Sequence, residues 1–462
     1  MAHQNSGQVR DLTSGSITGG LWAFAVPLML GNVLQQFYNL ADTWVVGKYI
    51  GDNALAAVGS SYTLMTFLTS VIIGLSLGTG SFVSMAFGRK EQDSIRNGIF
   101  MSVGIIGILT LLITAAFYML TDPIISLMNV PEELTGDMHT YLVYVFTGFF
   151  AVFLYNYISN ILRGMGNSTL PLIFLGVSVA LNVGLDLLFV IPLGMGIMGA
   201  ALATAIAQYV SGVGVLVYFI AAYPEFRLTR RDMRWDSRNF RSILSLSGFT
   251  CLQQSVMNLG ILMVQTVVNS FGSVVMAAFS VAVKIDTIAY MPVQDFGNAF
   301  SVFTAQNYGA GKRKRIIHSY FISMAFSFGI ALVMSALLVI FGRQFLGIFT
   351  NVEEVAQAGM IRLRIMGCSY AFSAFMDCTI AANRGLGKSF VPTVIVIMGS
   401  CVFRIIWVYT VFAYFHTIES LYLLYIVSWA ITATAEMICL RRVYREQMQK
   451  LPPDIDGVKA AA

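Results

Sequence analysis

The chain has 462 residues, of which 57% are hydrophobic and 11% charged. That charged fraction is less than half of the roughly 25% usual in soluble domains, so a soluble enzyme or binding module is excluded and an integral membrane protein is indicated. The net charge of +5 follows the membrane topology rather than marking a nucleic-acid-binding surface.

The first sixteen residues are polar and lack the charged, apolar and small-residue regions of a cleaved leader. The first span is therefore expected to serve as an uncleaved targeting signal. Runs of about 20 apolar residues predict twelve transmembrane helices. In the first half they centre near Leu30, Ile72, Leu109, Phe149, Val179 and Ala207, and in the second near Asn258, Met291, Ala331, Tyr370, Ile397 and Ser428. These runs are too long, and too free of alternation, for barrel strands. The fold class expected is an all-α polytopic membrane protein.

All but six of the 28 basic residues fall on one set of alternate loops and tails, from Arg10 through the six arginines between Arg227 and Arg241 to Lys459. Lys48 and Arg343 sit on the opposite loops, and Lys284, Arg362, Arg364 and Arg404 lie within spans. The positive-inside rule then places both termini in the cytoplasm. The stretch "YPEFRLTRRDMRWDSRNFRS" is the one long charged linker, and it divides the spans six and six. The expected organisation is an N-terminal lobe over 1–222, a linker over 223–240, a C-terminal lobe over 241–445 and a cytoplasmic tail over 446–462.

The two halves repeat. At an offset of 221 residues, "RGMGNSTLP" from Arg163 matches "RGLGKSFVP" from Arg384, Gly88 aligns with Gly309, and Ala56-Ala57 with Ala277-Ala278. With an even number of spans, both halves enter the bilayer from the same side and are expected to be related by an axis along the membrane normal. Two pseudo-symmetric six-helix lobes flanking a cleft are the architecture of an alternating-access carrier.

Ionisable groups inside a span are functional candidates, because insertion alone costs about 2.5–3.5 kcal/mol for one at a helix centre. In the first half there are two, Asp42 and Asp186, and no lysine or arginine lies in those spans to pair with either. Gln35, Tyr38 and Asp42 fall at i, i+3 and i+7, and Asn182 and Asp186 at i and i+4, so each acid shares a helix face with polar neighbours. Thr204 adds a hydroxyl within "GAALATAIAQ", whose small residues let helices approach closely. Such an oxygen-rich group suits Na⁺ or a proton, with capping of broken helices as the structural alternative.

The second half places both signs within its spans: Lys284, Asp286, Asp295, Asp377, Arg404 and Glu436. Lys284 and Asp295 are eleven residues apart on one helix face, so mutual neutralisation is expected, with a second cation or substrate site as the alternative. Arg362 and Arg364 are expected to snorkel from a helix end. The 34 Phe, 20 Tyr and 24 Met could line a cavity for bulky organic cations. The five cysteines have no metal-ligand spacing, and His3, His139, His318 and His416 fall near loops or termini, so neither a metal centre nor a buried His-based enzyme is suggested.

These segments together resemble the multidrug and toxic compound extrusion (MATE) family of secondary transporters. The resemblance rests on "VPLMLGNVLQQFYNLADTWVVG", "RGMGNSTLP", "LNVGLDLLFVIPLGMGIMGAALAT", "QNYGAGKRKR" and "RGLGKSFVP". It implies twelve helices in two lobes around a central cavity, and export of amphipathic, often cationic compounds against inward H⁺ or Na⁺. By resemblance, the cation-coupling residues are Asp42, Asn182, Asp186 and Thr204, with Gln35, Tyr38 and Asn160 at the substrate. Another branch of the family uses acids of the C-terminal lobe. Asp377 resembles one of them, but its partner acid on the seventh span has no counterpart here, leaving Lys284, Asp295, Asp377 and Arg404 as secondary candidates.

The function expected is thus a cation-coupled antiporter, multi-pass in the cell membrane, acting as a monomer on small amphipathic molecules. No cofactor and no metal is expected beyond Na⁺ at Asp42, Asn182, Asp186 and Thr204. The alternatives are a lipid-linked oligosaccharide flippase of the same superfamily and a multispan membrane enzyme; no catalytic constellation is legible for the latter.

Overall fold

The computed structural model describes residues 10–127, 132–350 and 352–451; His3, Lys459 and the tail beyond Leu451 lie outside the described residues. Among the described residues the chain is helical throughout, as a lipid environment demands of backbone that cannot bond to water. The first half comprises α1 (Ile17–Tyr49), α2 (Asp52–Gly88), α3 (Gln92–Leu127), α4 (Glu132–Thr147), α5 (Phe149–Gly164), α6 (Thr169–Val190) and α7 (Gly196–Ala222). The second comprises α8 (Ser237–Val268), α9 (Ser273–Gly309), α10 (Arg313–Phe349), α11 (Glu353–Gly385), the short pieces α12 (Phe390–Ile397), α13 (Phe403–Trp407) and α14 (Ala413–Phe415), and α15 (Ile418–Lys450).

Among the described residues, eleven helical stretches are long and apolar enough to cross a membrane, and α4 with α5, taken as one span, makes a twelfth, bent by 45° at Gly148. The span expected near Phe149 is therefore present but broken at that point. A Cβ at Gly148 would lie 3.0 Å from the Cα of Ala205 on α7, so glycine there permits the close approach of α7 to the break. α12, α13 and α14 form one span interrupted by two π turns, Met398–Val402 and Val408–Phe412.

The chain divides into two compact units, one holding Val26–Val83 and Glu91–Cys251, the other Asp11–Ala25, Ser84–Lys90 and the chain from Leu252 on. In the first, α7 packs against α4, α5 and α6. Its buried face of Gly199, Ala200, Ala201, Ala203, Ala207, Ser211 and Gly212 leaves the neighbours room to come close. The charged linker is tied down in this unit: Arg96 of α3 donates to Asp232 (3.1 Å), and Asn97 donates to the carbonyls of Asp232 and Arg234. In the second unit α11 is central, packed against α9, α10 and α15.

The internal repeat is present in the backbone. After α5 and after α11 the chain makes the same turn, with Gly166 (φ 96°) and Gly387 (φ 77°) at equivalent places. The amides of Asn167 and Lys388 bond back to the carbonyls of Leu162 and Asn383 in both copies. That left-handed conformation accounts for the glycine shared by "RGMGNSTLP" and "RGLGKSFVP". The other shared glycines meet each other's helices: a Cβ at Gly88 would lie 2.0 Å from the carbonyl oxygen of Gln306, and one at Gly309 would lie 2.1 Å from that of Met85. Met85 and Gln306 are themselves 221 residues apart, so the crossing of α2 and α9 in the second unit is symmetric.

Candidate cation-coupling site

The first unit brings the predicted acids together. α1 runs beside α6, with Gly31 against Leu172 and Leu175 and Leu34 against Gly176. Asp42 lies two turns beyond Leu34 on α1, and Asp186 lies two to three turns beyond Gly176 on α6. Both are buried, at 7% and 0% exposure. Each carboxylate has one buried oxygen, Oδ1, without a hydrogen-bond partner. The two acids lie within electrostatic range of one another and of the buried Tyr38 and Tyr141.

α6 is held on α7 by the Ser178 hydroxyl, which donates to the carbonyl of Ala207 (2.9 Å). One turn further along α6, Asn182 faces Thr204 of α7. With its amide turned so that the nitrogen faces the acid, Asn182 donates to Asp186 Oδ2 (3.0 Å) and accepts the backbone N–H of Thr204 (3.3 Å). The Thr204 hydroxyl lies 3.4 Å from the same amide. The Tyr38 hydroxyl sits beside Thr204 and Gln208, with no group at bonding geometry to it. Buried Asp42, Tyr38, Asn182 and Asp186 and half-buried Thr204 thus make one polar group, contributed by α1, α6 and α7.

Two further candidates from the sequence lie on α1 and α5. Gln35 is half-buried one turn before Tyr38, and Asn160 spends its amide on the carbonyl of Asn156 (2.8 Å). Conversely, Tyr141 of α4 and Gln208 of α7 join the surroundings without having been singled out. Gln208 follows Thr204 by one turn within a motif already noted, so spacing could have found it. Tyr141 comes from a different span and had no such signal.

The second unit corrects two expectations. Lys284 is exposed, whereas Asp295 on the same helix is 3% exposed. Eleven residues at 1.5 Å each separate them by about 16 Å along the axis, beyond the reach of a direct pair, so a shared face did not make them partners. Arg362 does not snorkel. It lies more than two turns inside α11, 2% exposed, and pairs with Asp286 of α9 (3.1 Å). Tyr370 donates its hydroxyl to the same carboxylate. Arg364, two residues on, is exposed.

Among the other C-terminal candidates, Asp377 accepts the Tyr290 hydroxyl. Arg404 is 4% exposed and lies over the ring of Tyr425, 4.5 Å from its centroid. Glu436, fully buried, accepts from Asn383 (2.9 Å).

A family model described as MatE matches the chain twice, over residues 27–188 and 250–410, once in each half. The "Probable multidrug resistance protein YpnP" of Bacillus subtilis is 30% identical over 363 residues, which cover 78% of this chain and 81% of the relative. The "Probable multidrug resistance protein NorM" of Thermotoga maritima is 26% identical, with 80% of each chain covered. A crystal structure of MATE in complex with MaL6 superposes with a TM-score of 0.89 at 22% identity, covering 96% of this chain and all of that one. That structure establishes the shared fold, and the double family match together with the relatives establishes descent: the chain belongs to the MatE family of membrane transporters, the multidrug and toxic compound extrusion proteins.

Proposed function

We propose that the protein is a cation-coupled antiporter, exporting amphipathic and often cationic small molecules by alternating access. The observation that carries this reading is the buried pair Asp42 and Asp186, each with an unpartnered carboxylate oxygen, in one unit and within electrostatic range of one another. Two like charges at close quarters away from water are unfavourable unless a proton or a small cation joins them. Na⁺ would find carboxylate oxygens at Asp42 and Asp186 and neutral oxygens at Asn182 and Thr204. A proton would be shared by the two acids as a coupled system.

Ion binding at this cluster and substrate binding then favour opposite-facing states. For a neutral or zwitterionic substrate, one positive charge entering down 100 mV supplies about 2.3 kcal/mol, enough to sustain an approximately fifty-fold gradient. The orientation in the cell membrane, with both termini cytoplasmic, is supported by the bias of arginine and lysine among the loops, and a single chain holds the whole cluster. An oligosaccharide-lipid flippase would call for bases where α1 and α6 present acids.

The test is counterflow in proteoliposomes under imposed Na⁺ or pH gradients, with ethidium or norfloxacin as substrate. Asp42→Asn, expressed at wild-type level, is expected to bind substrate but lose gradient-driven export. Undiminished export by that variant would overturn the reading.

A further inference from the structure

We propose that the C-terminal half carries an anion-binding site, formed by Arg404, Arg362 and Tyr425, that takes a carboxylate group or a small inorganic anion. Arg404 and Arg362 lie 4.5 and 5.3 Å from the centroid of the same Tyr425 ring. Both guanidiniums are at least nine-tenths buried, at 4% and 2% exposure. Among the described residues only one of the two has a carboxylate partner: Asp286 pairs with Arg362, and its other oxygen is taken by Tyr370. The groups acting electrostatically on Arg404 are Tyr425, Cys401, Arg362 and Tyr290, with no acid among them.

Donors are left over. Nε and Nη1 of Arg362 and Nε of Arg404 are buried with no group at bonding geometry among the described residues, and the Tyr425 hydroxyl sits close beside the Arg362 guanidinium. A buried charged donor that bonds to nothing loses its hydration without replacement, and two like charges around one ring add repulsion. Planar guanidinium donors match the oxygens of a carboxylate. An anion held between them would satisfy the donors and remove the repulsion together.

Two local features shape the place. Arg404 sits on α13 between the π turns Met398–Val402 and Val408–Phe412, irregularities that recur where helices carry function. Across from it is Gly260 of α8, where a Cβ would stand 3.3 Å from Arg404 Nη1 and 3.2 Å from the Ser400 carbonyl. Glycine there puts no side chain of α8 against the guanidinium. Trp429 and Tyr290, stacked at 5.9 Å, continue the aromatic wall from Tyr425. A flat aromatic molecule bearing a carboxylate therefore fits the chemistry, as does a free halide.

The site itself does not depend on the export reading, which enters only in the choice of organic ligand. Full-length protein in nanodiscs is titrated calorimetrically with norfloxacin and with its methyl ester, which differ by the carboxylate charge. A separate chloride titration in isethionate buffer, read by tryptophan fluorescence, reports a free anion. The expected result is at least tenfold tighter binding of the acid than of the ester, a saturable chloride response, or both, each abolished in Arg404→Gln while ester affinity is unchanged. Gly260→Ala, which fills the space but keeps the charge, is expected to reduce the same preference and serves if Arg404→Gln does not fold.

Equal binding of acid and ester together with no chloride response overturns the proposal, as does a preference that survives both substitutions. Asp42→Asn separates the two readings: it is expected to keep the acid preference while losing transport. Loss of the preference in Arg404→Gln with transport absent even in the wild type would leave the anion site standing and the export reading refuted.

Discussion

The α6–α7 pair of the first half and the α12–α15 pair of the second are the same construction with opposite chemistry. Ser178 bonds the carbonyl of Ala207 in one copy, and Ser428 bonds the carbonyl of Gly399 in the other, at positions that correspond under the 221-residue offset. One turn on, Asn182 faces Thr204 in the first copy, while Arg404 faces Tyr425 in the second. Thr204 and Tyr425 keep the offset, and the π turn at Met398–Val402 accommodates the one extra residue that makes Arg404 the counterpart of Asn182. Where α1 brings Asp42 to the first copy, α8 brings Gly260 to the second. The backbone contacts are alike in the two copies, whereas the polarity of the buried groups differs, with acids in the first and arginine in the second.

The comparison breaks most visibly at the acids. Asp186→Asn is expected to abolish gradient-driven accumulation in vesicles, a loss of at least about tenfold given the roughly fifty-fold gradient one charge can sustain; normal accumulation would remove the functional contrast between the halves. The next effect concerns stability. Asp286→Asn strands the buried Arg362 charge and is expected to cost about 3–5 kcal/mol, read as a lowered midpoint in thermal unfolding of the solubilised protein. Replacing both partners, Arg362→Met with Asp286→Leu, is expected to restore most of that loss, which a purely steric role for Asp286 would not allow.

The symmetric crossing of α2 and α9 offers a sharper test of equivalence. Gly88→Ala and Gly309→Ala each drive a Cβ into a carbonyl oxygen, at 2.0 and 2.1 Å, and each is expected to cost about 1–3 kcal/mol. Unequal penalties in the same unfolding assay would show that the repeat is less symmetric energetically than its backbone.

The smallest effect is expected in the linker. Burial raises the Asp232 carboxyl, but the Thr229 hydroxyl and amide and the Arg96 guanidinium outweigh it and hold it below its ordinary 3.8. A depressed carboxylate stabilises above its unfolded value and loses that contribution as pH falls through the folded one. Asp232→Asn is therefore expected to cost less than about 1 kcal/mol at neutral pH, with the difference from wild type shrinking in melts as pH falls below the ordinary carboxylate value of 3.8.

Reading along the chain located the spans well because each is a local property, a run of apolar residues of membrane length. The break at Gly148 escaped that reading, since hydropathy is continuous from Leu142 through Phe153 and the bend reflects the close approach of α7. The acids stood out because nothing in their own spans could neutralise them, and helical spacing named Asn182 and Tyr38 as their neighbours. The same reasoning failed in the second half. Lys284 and Asp295 share a face but sit too far apart along it, and the partner that Asp286 does have, Arg362, is 76 residues away on another helix.

Sequence alone therefore determined that this protein crosses the membrane about a dozen times, that it is built from two copies of one unit, and which buried acids lack a base nearby in the chain. Those conclusions depend on composition and periodicity, which lipid enforces on every span separately. Tertiary structure decided which charges are neighbours: Asp42 within electrostatic range of Asp186, Arg362 paired with Asp286, and Arg404 against the ring of Tyr425. Electrostatic pairing acts over a few ångströms in space whatever the separation along the chain, so only the packing of helices against one another could settle it.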